Sequence, residues 1–130
     1  MSTVIVFPGQ GCQKQGMAQD FVAAHPESRA VFEEASDALG LDLQALCTQD
    51  DPRLHLTEFT QPAILTAEIA MLRALQAEHG LGAERWAGHS LGEYTALVAA
   101  GALDLASAVR VVRERGRRMQ SAVPAGVGAM

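Results

Sequence analysis

The sequence predicts an α/β fold in which helices cover a short parallel sheet, and three observations support this. A β-branched run at residues 3–7 leads directly into Pro8-Gly9, which is typical of a short buried strand that ends in a loop. Long stretches carry apolar residues at helical spacing, and Gly40 and Gly80 end two of them. A second, weaker strand precedes a turn with two glycines. Strands that alternate with helices form parallel sheets.

The predicted elements share clear boundaries at glycine, proline or an N-capping residue. In chain order they are a strand at 3–7, a loop at 8–11, a weak helix at 14–24, a helix ending at 39, turns and short fragments at 41–57, a long helix at 60–79, a strand of poor composition at 84–89, a helix at 91–100, a helix from 105 to about 122 with Asp104 as its N-cap, and a loop or new strand at 124–130.

Composition excludes several classes of protein. The chain has 130 residues, 48% of them apolar, and a formal charge of −5, so it is one compact domain or part of a larger one rather than a disordered segment. No stretch approaches the ~20 apolar residues of a membrane span, and no basic region precedes the first strand, so we expect a cytoplasmic protein. The net negative charge argues against binding to nucleic acid. Cys12 and Cys47 form no metal-binding pattern.

The strongest local signal is Gly88-His89-Ser90-Leu91-Gly92, which matches the G-x-S-x-G nucleophile elbow. In that turn the serine projects from a tight strand-to-helix connection, and the next backbone N–H, here that of Leu91, faces a developing oxyanion. A second donor is expected from the loop after the first strand, through the backbone N–H of Gln10. Taken alone, each segment is also compatible with an ordinary glycine-flanked turn.

Helical geometry gives a separate reason to expect that Arg115 binds an anion. On the helix that starts at Leu105 it lies roughly 70° from the centre of the apolar stripe, at about 100° per residue. A guanidinium at the edge of a buried stripe needs an anionic partner. That partner is either a ligand or an internal acid such as Glu93. Residues 101–130 carry five arginines and two acids, in contrast to thirteen acids and five basic residues before them, and a solvated face is the other reading of this helix.

Taken together, four segments resemble malonyl-CoA:acyl carrier protein transacylases and the acyltransferase domains of fatty acid and polyketide synthases. They are Phe7-Pro8-Gly9-Gln10-Gly11, Thr60-Gln61-Pro62-Ala63, Gly88-His89-Ser90-Leu91-Gly92-Glu93-Tyr94 and Arg115-Gly116. The resemblance implies that residues 1–130 are the N-terminal, incomplete part of an α/β-hydrolase-like large subdomain. The small ferredoxin-like subdomain of that family is absent from the chain.

The resemblance also implies roles for individual residues. Ser90 takes a malonyl group from coenzyme A as an ester and passes it to the phosphopantetheine thiol of an acyl carrier protein. Gln10 and Leu91 form the oxyanion hole, Gln61 lines the pocket, and Arg115 grips the malonyl carboxylate. His89 falls in the same motif, where it is structural or orients the site. No resident cofactor is implied, since the coenzyme A thioester is a substrate.

One feature departs from the family pattern: no histidine follows Ser90, whereas a serine nucleophile needs a base. We therefore expect a C-terminal segment of the same enzyme to supply the catalytic histidine, and the chain to be inactive without it. Two other functions remain open. One is an acyl hydrolase that clears acyl carrier proteins, against which Arg115 argues, and the other is a non-catalytic docking module.

Overall fold

The computed structural model describes residues 2–128. Two strands, β1 (Val4–Phe7) and β2 (Arg85–Gly88), lie side by side in parallel, with Val4 opposite Arg85 and Phe7 opposite Gly88. Within this range they are accompanied by six α-helices, α1 (Gln19–Ala24), α2 (Pro26–Leu39), α3 (Leu43–Thr48), α4 (Thr57–His79), α5 (Leu91–Ala99) and α6 (Leu105–Ala122), with a 3-10 turn at Pro52–His55. The predicted α/β class, a short parallel sheet covered by helices, is confirmed.

Helix α4 is the centre of the fold. Every residue from Thr60 to Ala70 is buried, because α2, α5 and α6 all pack against it. A helix that is buried all round explains why the sequence there is apolar beyond a single stripe. Ser28 of α2 donates a hydrogen bond from its buried hydroxyl to the carbonyl of Ala70 across 2.8 Å, which gives that hydroxyl a partner in the helix contact.

Several boundaries differ from those that the sequence predicts. Helix α1 begins at Gln19 rather than at 14, because Gly16 and Ala18 adopt left-handed backbone conformations just before it. Helix α4 begins at Thr57 rather than at 60. The fragments expected at 41–57 are α3 and the 3-10 turn.

The last helix, α6, has the bounds and the N-cap that the sequence predicts. Asp104 caps α6 as predicted, and its carboxylate accepts a hydrogen bond from the Ser107 N–H across 2.8 Å. This bond lowers the pKa of the Asp104 carboxyl. Residues 124–128 form a turn and loop, which is one of the two alternatives expected for 124–130, and residues 129 and 130 lie outside the described residues.

Among residues 2–128, no helix combines the length and the apolar character that crossing a membrane requires.

Candidate active site

The turn between β2 and α5 holds Ser90 in an unusual backbone conformation. Its φ of 54° and ψ of −113° lie in a region that L-residues rarely adopt. Such conformations cost about 1–3 kcal/mol and persist where the surrounding structure enforces them, commonly at functional sites. Here the turn leaves Ser90 exposed between the end of a parallel strand and the start of a helix. This is the geometry that a nucleophile elbow requires.

The two glycines of the motif, Gly88 and Gly92, allow backbone segments to approach each other more closely than any residue with a side chain would permit. A Cβ on Gly88 would lie 2.0 Å from the carbonyl carbon of Gly92, and a Cβ on Gly92 would lie 2.1 Å from the carbonyl oxygen of Phe7. Both obstacles are backbone atoms, which cannot turn aside. The ends of β1 and β2 and the first turn of α5 therefore pack as one unit that carries Ser90.

The loop after β1 lies against this elbow. A Cβ on Gly9 would lie 2.7 Å from the His89 carbonyl oxygen and 3.5 Å from the Leu91 nitrogen. Within residues 2–128, neither the N–H of Gln10 nor that of Leu91 donates to a backbone carbonyl. Two free N–H groups on adjoining loops at the carboxyl ends of parallel strands are suited to hold an oxyanion. The amide side chain of Gln10 points elsewhere and donates to the Thr57 hydroxyl across 3.0 Å.

Arg115 reaches from α6 to the serine. Its Nη2 donates a hydrogen bond to the Ser90 hydroxyl oxygen across 3.1 Å, and its Nη1 donates to Oε1 of Gln61 across 2.9 Å. Its guanidinium also lies over the ring of Tyr94, 5.4 Å from the ring centre. No carboxylate of residues 2–128 forms an ion pair with Arg115, so the internal salt bridge to Glu93 that the sequence left open is not formed.

Two features of α4 and α6 bring Arg115 to this place. Gln61 is 0% exposed, and its amide is fixed on both sides because its Nε2 donates to Sδ of Met119 across 3.2 Å. Gly116 packs directly on the start of α4, where a Cβ would lie 2.6 Å from the Thr57 carbonyl oxygen. The absence of a side chain at Gly116 therefore allows the close helix contact that sets the reach of Arg115.

The structure does not bring the His89 side chain into this network. His89 is exposed, its backbone N–H donates to the Phe7 carbonyl across 3.1 Å, and its imidazole makes no hydrogen bond to residues 2–128. Of the other imidazoles, those of His25 and His79 lie against Glu78 instead. In the described part of the chain, the only side chain that hydrogen bonds to the Ser90 hydroxyl is Arg115.

Sequence reasoning missed Tyr94 as part of the site. The available signal was its position four residues after Ser90, which on a helix places it on the same face as the elbow. Its ring turned out to be the third group that contacts the Arg115 guanidinium.

A second polar feature lies away from the elbow, in a groove of about 670 Å³ beside β1. Glu68 of α4 lines this groove, is only 7% exposed, and neither of its carboxyl oxygens has a hydrogen-bond partner among residues 2–128. Burial raises the pKa of the Glu68 carboxyl to about 8, while the nearby Thr95 hydroxyl acts in the opposite direction. Cys12 lines the same groove, and burial together with Glu68 raises the pKa of its thiol.

Comparison with known proteins assigns the chain to a family. The family model described as acyl transferase domain matches residues 4–130, and the chain belongs to that family. Malonyl CoA-acyl carrier protein transacylase of Escherichia coli K12 is 54% identical over 127 residues, which are 96% of this chain and 41% of the relative. The transacylase of Staphylococcus aureus MRSA252 is 45% identical over 129 residues, 98% of this chain and again 41% of the relative.

Solved structures give the same result for the fold. The malonyl CoA-acyl carrier protein transacylase from Coxiella burnetii superimposes with a TM-score of 0.92 at 48% identity, over 97% of this chain and 40% of the other. A malonyl-transacylase in complex with a type II polyketide synthase acyl carrier protein gives a TM-score of 0.89 at 48% identity, over 95% of this chain and 40% of the other. The chain thus spans about two fifths of the length of the relatives that it matches.

Proposed function

We propose that this chain is the serine- and arginine-bearing part of a malonyl-CoA:acyl carrier protein transacylase. The observation that carries the proposal is the Arg115 guanidinium, which donates to the Ser90 hydroxyl and has no carboxylate partner in the described part of the chain. A nucleophile placed beside an uncompensated cation suits an acyl group that ends in a carboxylate. The names of the relatives support the same substrate.

In the first half-reaction the Ser90 oxygen attacks the thioester carbon of malonyl-CoA. The serine proton passes to a base, and the carbonyl oxygen becomes an oxyanion that accepts hydrogen bonds from the N–H groups of Gln10 and Leu91. Collapse of this intermediate breaks the carbon–sulfur bond, and the coenzyme A sulfur leaves with the proton. The malonyl group is then an ester on Ser90.

In the second half-reaction the phosphopantetheine thiol of an acyl carrier protein attacks that ester. The base takes the thiol proton and returns it to the Ser90 oxygen as the ester bond breaks, which restores the free serine. Throughout, two parallel hydrogen bonds from Arg115 hold the far carboxylate, and the buried amide of Gln61 keeps the guanidinium in place. Coenzyme A is a substrate in this scheme, and no resident cofactor is needed.

The base comes from a C-terminal segment of the same enzyme, which supplies a histidine and completes a Ser-His dyad. In support, the relatives are about two and a half times as long as the part that matches this chain. Residues 1–130 are then the N-terminal part of the large subdomain and are inactive when alone. The protein acts in the cytoplasm, in fatty acid or polyketide biosynthesis.

The acyl carrier protein meets the enzyme at the mouth of this site. The other arginines of α6 offer less free charge to an acidic carrier than their number implies, since Glu58 pairs with Arg113 and Arg117, and Glu114 pairs with Arg118. The carrier's docking surface therefore does not rest on this helix alone.

Intact-mass measurement tests the proposal. The chain is incubated with malonyl-CoA, alone and together with the C-terminal region of the Escherichia coli relative that lies beyond the matched part. A malonyl adduct on Ser90 that moves to an acyl carrier protein supports transfer, and Ser90→Ala is the control without a nucleophile. Release of free malonate would identify an acyl hydrolase instead. No adduct under either condition would identify a docking module and overturn the proposal.

A further inference from the structure

The ring of Tyr94 is one of three groups that position the Arg115 guanidinium. The other two are neutral oxygen acceptors, Oε1 of Gln61 and the hydroxyl of Ser90. Tyr94 is half-buried on α5, one helical turn after the elbow, and its own hydroxyl makes no hydrogen bond within residues 2–128. The site therefore uses the face of the ring, which attracts a cation by its quadrupole.

Comparison with two other arginines of the chain shows what is particular about this contact. Arg53 and Arg113 each lie 5.4 Å from the centre of the Phe59 ring, the same distance as Arg115 from the Tyr94 ring. Each of them also has a carboxylate partner: Arg53 pairs with Asp51 at 2.7 Å, and Arg113 pairs with Glu58 at 3.7 Å.

Arg115 lacks such a partner in the described part of the chain. An aromatic ring attracts a cation without neutralising it, whereas a carboxylate does both. The guanidinium of Arg115 is thus held in place with its charge left available.

The hydrogen bond to Ser90 is the contact that a carboxylate ligand can replace. A carboxylate accepts two parallel hydrogen bonds from adjacent N–H groups of a guanidinium. Nη2 of Arg115 is already engaged with the Ser90 oxygen, a neutral acceptor and therefore a weaker one. When the carboxylate takes over that N–H, the guanidinium stays on the Tyr94 ring and the Gln61 amide, and the Ser90 oxygen is released for attack.

We propose that Tyr94 is a positioning residue that selects acyl groups with a free carboxylate, because its ring holds the Arg115 guanidinium beside Ser90 without neutralising it. This inference rests on the proposed function for its substrate. It adds that an acyl group without a carboxylate leaves the Arg115–Ser90 hydrogen bond in place, so that the nucleophile stays engaged.

Binding of malonate to the 130-residue chain tests the inference without requiring turnover. The probe is the malonate dianion, with acetate as the control, and the readout is the Nε–Hε signal of Arg115 in a nitrogen-15 NMR titration. We expect the dissociation constant of malonate to rise about three- to fivefold in Tyr94→Leu and to stay unchanged in Tyr94→Phe, which keeps the ring. Equal constants in wild type, Tyr94→Leu and Tyr94→Phe would overturn the inference.

A second substitution guards against loss of folding in Tyr94→Leu. Pentafluorophenylalanine at position 94 keeps the shape of a phenylalanine ring but removes electron density from its face. It should therefore weaken malonate binding relative to Tyr94→Phe. If both variants bind malonate equally, the ring acts by shape alone and the inference is wrong. A Tyr94-dependent malonate constant without any malonyl adduct on Ser90 would instead overturn only the proposed function.

Discussion

The side chains of Arg115 and Ser90, 25 residues apart in sequence, meet through one hydrogen bond of 3.1 Å between Nη2 and the hydroxyl oxygen. The residues reach this contact from different directions: Ser90 from a strained turn after β2, and Arg115 from the side of α6. Gly116 makes the meeting possible, because it lets α6 approach the first residue of α4. In the proposed function, the side chain that selects the substrate and the side chain that attacks it are therefore in direct contact.

Removal of the Arg115 guanidinium should slow the reaction of acyl groups that carry a carboxylate and spare those that do not. In the chain mixed with the C-terminal region of the Escherichia coli relative, we expect Arg115→Ala to slow malonyl esterification of Ser90 about a hundredfold. Acetyl esterification should not be slowed, because an acetyl group leaves the Ser90 hydroxyl bonded to Arg115. Two charge-assisted hydrogen bonds contribute about 3 kcal/mol in total, which accounts for this factor. The measurement is the rate of adduct formation by intact mass with each thioester.

Arg118→Ala is the matched control, because Arg118 lies on the same helix, is exposed, and pairs with Glu114. It should leave both rates unchanged. Equal losses for malonyl and acetyl groups in Arg115→Ala would remove the carboxylate-binding role of Arg115.

Gly92→Ala should prevent the elbow from forming. The added Cβ would lie 2.1 Å from the Phe7 carbonyl oxygen, which is a backbone atom, and its own position is fixed by the backbone of α5. We expect the free energy of unfolding to fall by about 3 kcal/mol or more, measured by urea denaturation. Gly82→Ala serves as control, since a Cβ there meets nothing within 4 Å. Similar midpoints for the two variants would show that the close approach of α5 to β1 is not required.

Ser90→Gly should stabilise the chain relative to Ser90→Ala. Glycine adopts a φ of 54° and a ψ of −113° without the steric penalty that any Cβ incurs there. We expect glycine to exceed alanine by about 1 kcal/mol in the free energy of unfolding, after its greater freedom in the unfolded chain is subtracted. Both variants lose the hydroxyl, so their comparison isolates the backbone. A glycine variant no more stable than the alanine variant would contradict strain at this position.

Stability should decrease as the pH rises, because of Glu68. Its pKa is about 8 in the folded chain, against 4.5 as the ordinary value, so the folded state binds the extra proton between these two pH values. The free energy of unfolding is therefore highest below pH 4.5 as far as this group is concerned, and it falls as the pH rises toward 8. At about 1.4 kcal/mol per unit, the loss is on the order of 4 kcal/mol.

Denaturation of Glu68→Gln across this pH range provides the check. The glutamine variant should lose the pH-dependent decline and be the more stable protein at pH 8. Glu34→Gln, at an exposed position of α2, controls for the removal of one negative charge. The same decline in wild type and in Glu68→Gln would show that another group causes it.

Local signals in the sequence predicted most of the helices and both strands. Gly40 and Gly80 end α2 and α4 as expected, and both adopt left-handed conformations there. The predicted start of α4 at residue 60 was wrong because a tertiary contact sets the true start. Its first residue, Thr57, donates its backbone N–H to the side chain of Gln120, which lies 63 positions further along the chain, across 3.2 Å. No local pattern carries that information.

The candidate site likewise has parts that the sequence predicts and parts that it does not. The elbow around Ser90 follows from a five-residue pattern, because its glycines and its strained turn are local features. The side of α6 on which Arg115 lies follows from helical periodicity. The contact of the Tyr94 ring with Arg115 and the absence of a carboxylate partner for Arg115 among residues 2–128 depend on how α5 and α6 pack, which no local pattern in the sequence encodes.

The edge of β1 that faces away from β2 has a practical consequence. Within the described residues this strand pairs on one side only, and Val4 and Val6 are exposed, the latter to 69%. Unpaired backbone amides next to exposed valines can pair with extended segments of other chains, and such pairing leads to aggregation. These 130 residues prepared alone should therefore aggregate more readily as their concentration rises, and a charged replacement of Val6 should reduce that tendency.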